Sequence, residues 1–218
     1  MVRASAAVAA EQPPDWREFG PLDLSPILAA ALEVFWEHGF HGATVREIAR
    51  RVGMTVPALY YHHENKEGLL VALLELGTGE ATWRTRAAAE EGAGDPAKQL
   101  TNVVEAIVRQ MTQRTRLATL DLELRYLSAR SRRRYAARRK TVENVLAEVV
   151  DAGARTGVFT VADTEETSRA LLGMCQSVAR WYRPDGDCSP EEMAARYVEI
   201  ALMTVGARRG PVRATRRR

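Results

Sequence analysis

TVREIARRVGMTVPALYYHHENKEGLL, residues 44–70, decides how the rest of the chain is read. Thr44 precedes Val45, Ile48, Ala49 and Val52, which recur at helical spacing. Glu47, three residues after Thr44, completes a capping-box pattern. Gly53 ends this helix, because a left-handed turn is cheap only without a Cβ. Thr55 then caps a second short helix, with Val56-Pro57 in its first turn and Leu59 as its inward anchor. Asn65 or Glu64 starts another, which carries Leu69, Leu70, Leu73 and Leu74. Two short helices about a glycine turn predict a helix-turn-helix, and a DNA major groove admits a helix. Tyr60-Tyr61-His62-His63 is a poor core but a plausible contact surface, with one of the two tyrosines also able to pack inward. Adjacent histidines on a helix do not share a face, so no metal is expected there.

Working outward, Ser25-Pro26 opens an earlier helix carrying Ile27, Leu28, Ala31, Leu32 and Phe35, and Gly39 closes it. Further helices are predicted over 96 to about 116, 117–128, 131 to about 156, 164–182 and from Ser189-Pro190-Glu191-Glu192 onward. The β-branched alternation of strands is hard to find, so the fold class is all-α. The 218 residues are 46% apolar and 27% charged, ordinary for a globular protein. Net charge is +3, but the basic residues cluster: 125–140 holds eight and no acid, and 207–218 holds six. Cys175 and Cys188 match neither a disulfide framework nor a zinc motif. No apolar run approaches a membrane span. The start, MVRASAAVAAEQPP, outlines a signal peptide, but its apolar part is short and mostly alanine. It reads as a disordered arm on a cytoplasmic protein. No glycine-rich phosphate loop, nucleophile elbow or paired metal-ligand set points to an enzyme or a cofactor. Asp121 and Glu123, two apart on a predicted helix, point in different directions.

Gly39-Phe40, Thr44-Val45, Ile48-Ala49, Val52-Gly53, Leu59-Tyr60-Tyr61-His62 and Asn65-Lys66-Glu67-Gly68-Leu69-Leu70 together resemble the TetR family of bacterial transcriptional regulators. The resemblance implies an all-α homodimer that binds operator DNA through an N-terminal three-helix domain. It also implies a larger ligand-binding and dimerisation domain. The expected division is an arm over 1–20, a DNA-binding domain over 21–80, a helical domain over 81–206 and a basic tail over 207–218. It makes 55–62, begun by Thr55, the recognition helix, with Val56, Pro57 and Ala58 towards the bases. Tyr60, Tyr61 and His62 would meet the backbone, joined by Thr44, Arg46 and Lys66. An apolar first turn predicts base reading through thymine methyls and DNA shape. Residues 20–70 hold four Lys/Arg against six Asp/Glu, a balance of −2 that is low for a DNA surface. Arg46, Arg50 and Arg51, or Arg3 and Arg17 in the arm, would have to supply the positive charge. A ligand-binding protein of this fold without specific DNA binding is the alternative, with an acyl-CoA-acting enzyme behind it.

Leu124-Arg125-Tyr126-Leu127-Ser128 and Trp181-Tyr182-Arg183-Pro184-Asp185-Gly186 are similar to repressors of fatty-acid and steroid breakdown, several of which respond to acyl-CoA thioesters. The expected ligand is therefore a small hydrophobic or acyl-CoA-type effector. Arg125, Arg130, Arg133 and Arg134 are candidates for its phosphates, unless the run is a solvated helix face. Leu120, Leu124 and Leu127 are candidates for an acyl pocket. Trp83, Met111, Met174 and Trp181 could line it, or could be plain core. The apolar stripes over 171–181 and 197–205 are expected to face a second protomer.

Overall fold

The computed structural model describes residues 14–207. Among them are nine α-helices and no strand. The helices are α1 Pro26–Gly42, α2 Val45–Arg51, α3 Val56–His62, α4 Lys66–Glu91, α5 Pro96–Gln113, α6 Thr115–Ala118, α7 Ala129–Arg155, α8 Thr164–Ser177 and α9 Pro190–Thr204. A 3-10 segment, Thr119–Tyr126, joins α6 to α7. A second, Val178–Arg180, extends α8.

The helix ends follow from side-chain oxygens accepting from otherwise unpaired N–H groups. Ser25, Thr44, Thr55 and Asn65 accept from Leu28, Glu47, Ala58 and Gly68. Gly39 (φ +64°) breaks the backbone of α1 and Gly53 (φ +67°) makes the turn between α2 and α3. The Thr44 cap is only half a capping box. The Glu47 carboxylate is taken by Arg50 (2.7 Å) and Arg51 (3.0 Å) rather than by the Thr44 backbone.

Two large hydrophobic cores result, beside a small cluster of Trp16, Ala88 and Ala106. One gathers Ile27, Leu32, Phe35, Ile48, Leu59, Leu69, Leu70 and Leu73 from α1–α4. The other gathers Leu100, Val104, Leu146, Val150, Leu171 and Cys175 from α5, α7 and α8, with Met193 and Ala201 of α9. The 26-residue α4 runs unbroken past both, and residue 80 lies inside it.

Two expectations are corrected. Residues 117–128 are not one α-helix. Leu117 belongs to the short α6 and Leu120 to the 3-10 segment that follows, and both are buried in the first core. Residues 14–20 are not a free arm. Trp16 is buried and its indole N–H donates to Glu91 (2.7 Å). Arg84 donates to the Trp16 and Glu18 carbonyls, Arg109 to that of Arg17, and Arg114 to that of Gly20. Arg17 itself pairs with Glu91 (2.7 Å) and Glu105 (3.4 Å), so it is committed to the helical domain. Residues 1–13, with Arg3, and 208–218 lie outside the described residues.

Glu80 anchors this strap. It holds Arg84 (2.8 Å) and Arg114 (2.9 Å), two guanidiniums that are almost fully buried. Burial pushes the Glu80 carboxyl up, but hydrogen bonds from Arg114 and Arg84 outweigh it and leave it below the ordinary value. Glu80→Gln is expected to lower unfolding stability by roughly 3 kcal/mol in urea titrations, because two buried cations lose their counter-ion. The sign with pH follows from the depressed value. The stabilisation is complete above the unfolded carboxyl pKa of about 4.3 and is lost as pH falls through the lower folded value. The variant should lack that part of the acid limb.

Candidate nucleic-acid interface and internal cavity

α2 and α3 present one polar face. Thr44, Arg46, Thr55, Pro57, Tyr60, Tyr61 and His62 are exposed, while Val56 and Ala58 are half-buried and Leu59 is fully buried. Tyr61 is 89% exposed and Tyr60 45%, so neither packs inward. The Tyr61 and His62 rings meet edge to face at 5.6 Å. This patch offers the N–H groups of two helix starts beside phenolic hydroxyls, a set that suits phosphate oxygens.

The basic residues behave differently. Arg51 reaches Glu37 (2.5 Å) as well as Glu47, and Arg50 is paired to Glu47. The two guanidiniums draw the Glu47 carboxyl down to about 2. Arg46 is exposed and makes no ion pair with a described carboxylate. Lys66 does not stand free for a phosphate. Its ammonium donates to the carbonyls of Phe40 (2.7 Å) and Ala43 (2.8 Å) and lies 4.5 Å from the Phe40 ring centroid. Partial burial holds its pKa below the ordinary lysine value.

A partly open cavity of about 270 Å³ lies between α4, α5, α7 and α8, flanked by α6 and the two 3-10 segments. Leu74, Ile107, Met111, Leu117, Leu122 and Val142 form its apolar wall. Thr78, Asp121, Tyr135, Arg139, Gln176 and Ser177 form its polar side. The Tyr135 hydroxyl donates to Asp121, and Arg139 donates to Gln176 (2.9 Å) and faces Asp121 at 3.6 Å. Burial, then the Asp121 charge, pushes the Tyr135 hydroxyl far above the ordinary tyrosine value, so it stays protonated.

Of the residues expected to bind a ligand, only Met111 lines this cavity. Leu120 and Leu127 are buried in the core around α1–α4, with Leu124 against them. Arg134 pairs with Glu75 (2.5 Å). Arg125, Arg130 and Arg133 are exposed, and Arg125 lies over the Tyr126 ring. Met174 packs on the second core. Trp83 sits on the outer side of α4 and Trp181 stacks on Tyr197 at 6.5 Å. Arg139, the one arginine of the basic run at the cavity, was not singled out, nor were Tyr135 and Gln176. Tyr135 breaks an otherwise charged stretch, and that was the available signal. Within the stripes of α8 and α9, Leu171, Leu172, Cys175, Ala201 and Val205 are buried within the chain. Trp181, Ile200 and Met203 remain outside.

Comparison with known proteins decides the family. Residues 27–73 match the model described as bacterial regulatory proteins, tetR family, and residues 93–205 match the tetracyclin repressor-like C-terminal domain. The chain belongs to the TetR family. It is 26% identical over 178 residues to the transcriptional repressor KstR2 of Rhodococcus jostii, covering 81% of this chain and 87% of that one. A tetR-family regulatory protein from Rhodococcus RHA1 superposes with a TM-score of 0.78 at 32% identity, covering 84% of this chain and 97% of that one. AibR, solved with isovaleryl coenzyme A and operator DNA, gives 0.74 at 24% identity, with coverage of 84% and 97%. The helix-turn-helix of this TetR-family protein is thus α2 and α3. No helix among the described residues is long and apolar enough to cross a membrane.

The Lys66 geometry gives a direct test. Lys66→Met should cost about 2 kcal/mol of unfolding free energy, since the Phe40 and Ala43 carbonyls lose a charged donor. Urea unfolding measures it, and a variant as stable as the parent would show that these bonds carry nothing.

Proposed function

We propose that the protein is a homodimeric repressor released from its operator by a small acyl-CoA-type ligand in the cavity between α4 and α8. The observation that carries this reading is a shared wall. Leu74 and Leu117 line the cavity and are also buried in the core that holds the helix-turn-helix. Whatever fills the cavity therefore presses on side chains that set the position of α1–α4. About 270 Å³ is small for a ligand site. It takes an acyl group with its thioester, leaving the nucleotide of coenzyme A outside. Arg139 and Gln176 can meet the thioester oxygen, and the apolar wall the chain. AibR, with its isovaleryl thioester, supports a short acyl group. The exposed Trp181, Ile200 and Met203 support a second protomer against α8 and α9. Two protomers would then set their α3 helices about 34–36 Å apart, one turn of DNA. Ligand acts through its different affinity for the DNA-ready spacing and for others.

A second reading, loss of specific DNA binding, is favoured by the pairing of Arg50 and Arg51 with Glu37 and Glu47. Fluorescence anisotropy with DNA from the protein's own upstream intergenic region separates the two. The repressor reading predicts tight binding that weakens steeply between about 50 and 200 mM salt, with release by isovaleryl or longer acyl-CoAs. It also predicts that Tyr61→Ala weakens DNA binding about tenfold while folding stability stays within roughly 0.5 kcal/mol. Binding no tighter than to unrelated DNA, over a wide search of sequences, favours the second reading.

A further inference from the structure

We propose that Asp121 reports the state of the cavity to the helix-turn-helix, through the 3-10 segment and the Tyr126–Phe40 ring stack. The proposal rests on the ligand-responsive reading and assigns its route.

Asp121 stands on the 3-10 segment with its carboxylate at the cavity. Two groups of α7 hold it there. The buried Tyr135 hydroxyl donates to one oxygen, and Arg139 faces the other at 3.6 Å, beyond hydrogen-bond reach. The Arg139 bond goes to Gln176 instead, so its guanidinium keeps donors to spare. A ligand bearing a carbonyl or carboxylate oxygen takes those donors and withdraws the cation from Asp121. The carboxylate is then tied by Tyr135 alone.

The segment that carries it is easy to move. Its i→i+3 hydrogen bonds are poorer than those of an α-helix, and eight residues is long for this geometry. Its far end is Tyr126. That ring stacks on Phe40 at 5.5 Å and 25° and on His41 at 6.0 Å. Phe40 also lies under the Lys66 ammonium, whose bonds hold the end of α1 against the start of α4. Three residues beyond His41 is Thr44, the cap of α2. The approach is close at this end as well. A Cβ on Gly39 would stand 3.3 Å from a Glu123 carboxylate oxygen. A shift of the 3-10 segment is thus delivered to the joint between α1 and α2.

The experiment uses the full-length protein in four forms: parent, Asp121→Asn, Tyr126→Ala and the double variant. Backbone hydrogen exchange without DNA or ligand is the first readout. Asp121→Asn should speed exchange over residues 37–44 by about tenfold, within the span of ordinary coupling, and should add nothing once Tyr126→Ala is present. Operator affinity is the second readout. Each single variant should lose about tenfold and the double no more than either. Tyr126→Phe, which keeps the ring, should match the parent. Tyr135→Phe, which removes one tie to Asp121 and little volume, repeats the cycle if Asp121→Asn does not fold. Additive losses, or exchange changes confined to 117–127, overturn the proposal. If no DNA is bound by any form, the repressor reading fails while the exchange cycle still decides the route.

Discussion

One helix belongs to both halves of this protein, and the rest of the structure depends on its being continuous. α4 sends Leu69, Leu70, Leu73 and Leu74 into the core of the helix-turn-helix. One turn later Thr78 and Ala81 line the cavity, and further on Arg84 and Ala88 meet the N-terminal strap. A straight helix of 26 residues spans about 39 Å and bends little without proline or an inserted group. The DNA-facing end therefore cannot tilt without moving the cavity wall. Glu80, Arg84 and Arg114 tie the middle of α4 to α5 and to residues 14–20, which fixes the fulcrum.

The same economy explains the low positive charge of the DNA-binding half. Its lysine and two of its three arginines are engaged by other groups of the same chain, Arg50 and Arg51 at the surface. Lys66 satisfies carbonyls at the end of α1, and Arg50 and Arg51 neutralise Glu37 and Glu47. What is left towards DNA is Arg46, the threonine-capped helix starts and two exposed tyrosines. Such a surface positions by hydrogen bonding more than by bulk charge, and gains from being presented twice by a dimer. An anion-friendly geometry with modest net charge is in keeping with the proposed release from DNA on a small stimulus.

Much of this was legible in the sequence where the cause is local. Caps at Ser25, Thr44, Thr55 and Ser189 and the glycine turn at Gly53 each involve residues within four positions, and all formed. What failed depends on distant partners. Residues 14–20 have a loop composition, and nothing local shows that Arg84, Arg109 and Arg114 wait for their carbonyls. Lys66 reads as a surface cation until Phe40 and Ala43, more than twenty residues away, come into reach. Leu120 and Leu127 have the apolar character of a pocket wall, but character alone does not separate a filled core from a void. Arg139 differs from Arg133 only in facing Asp121 and Gln176, which the turn of α7 decides.

The central claim is that cavity and DNA-binding face move together in a paired molecule. The most direct measurement is the spin–spin distance between labels at position 64, just past the end of α3, introduced by Glu64→Cys on a Cys188→Ser background, with Cys175 buried. One distance consistent with α3 helices roughly 34–36 Å apart is expected on operator DNA, with a shift away from it when isovaleryl coenzyme A is added. A label pair whose distance is the same with and without a ligand that releases DNA, or no paired distance at micromolar protein, would contradict the claim.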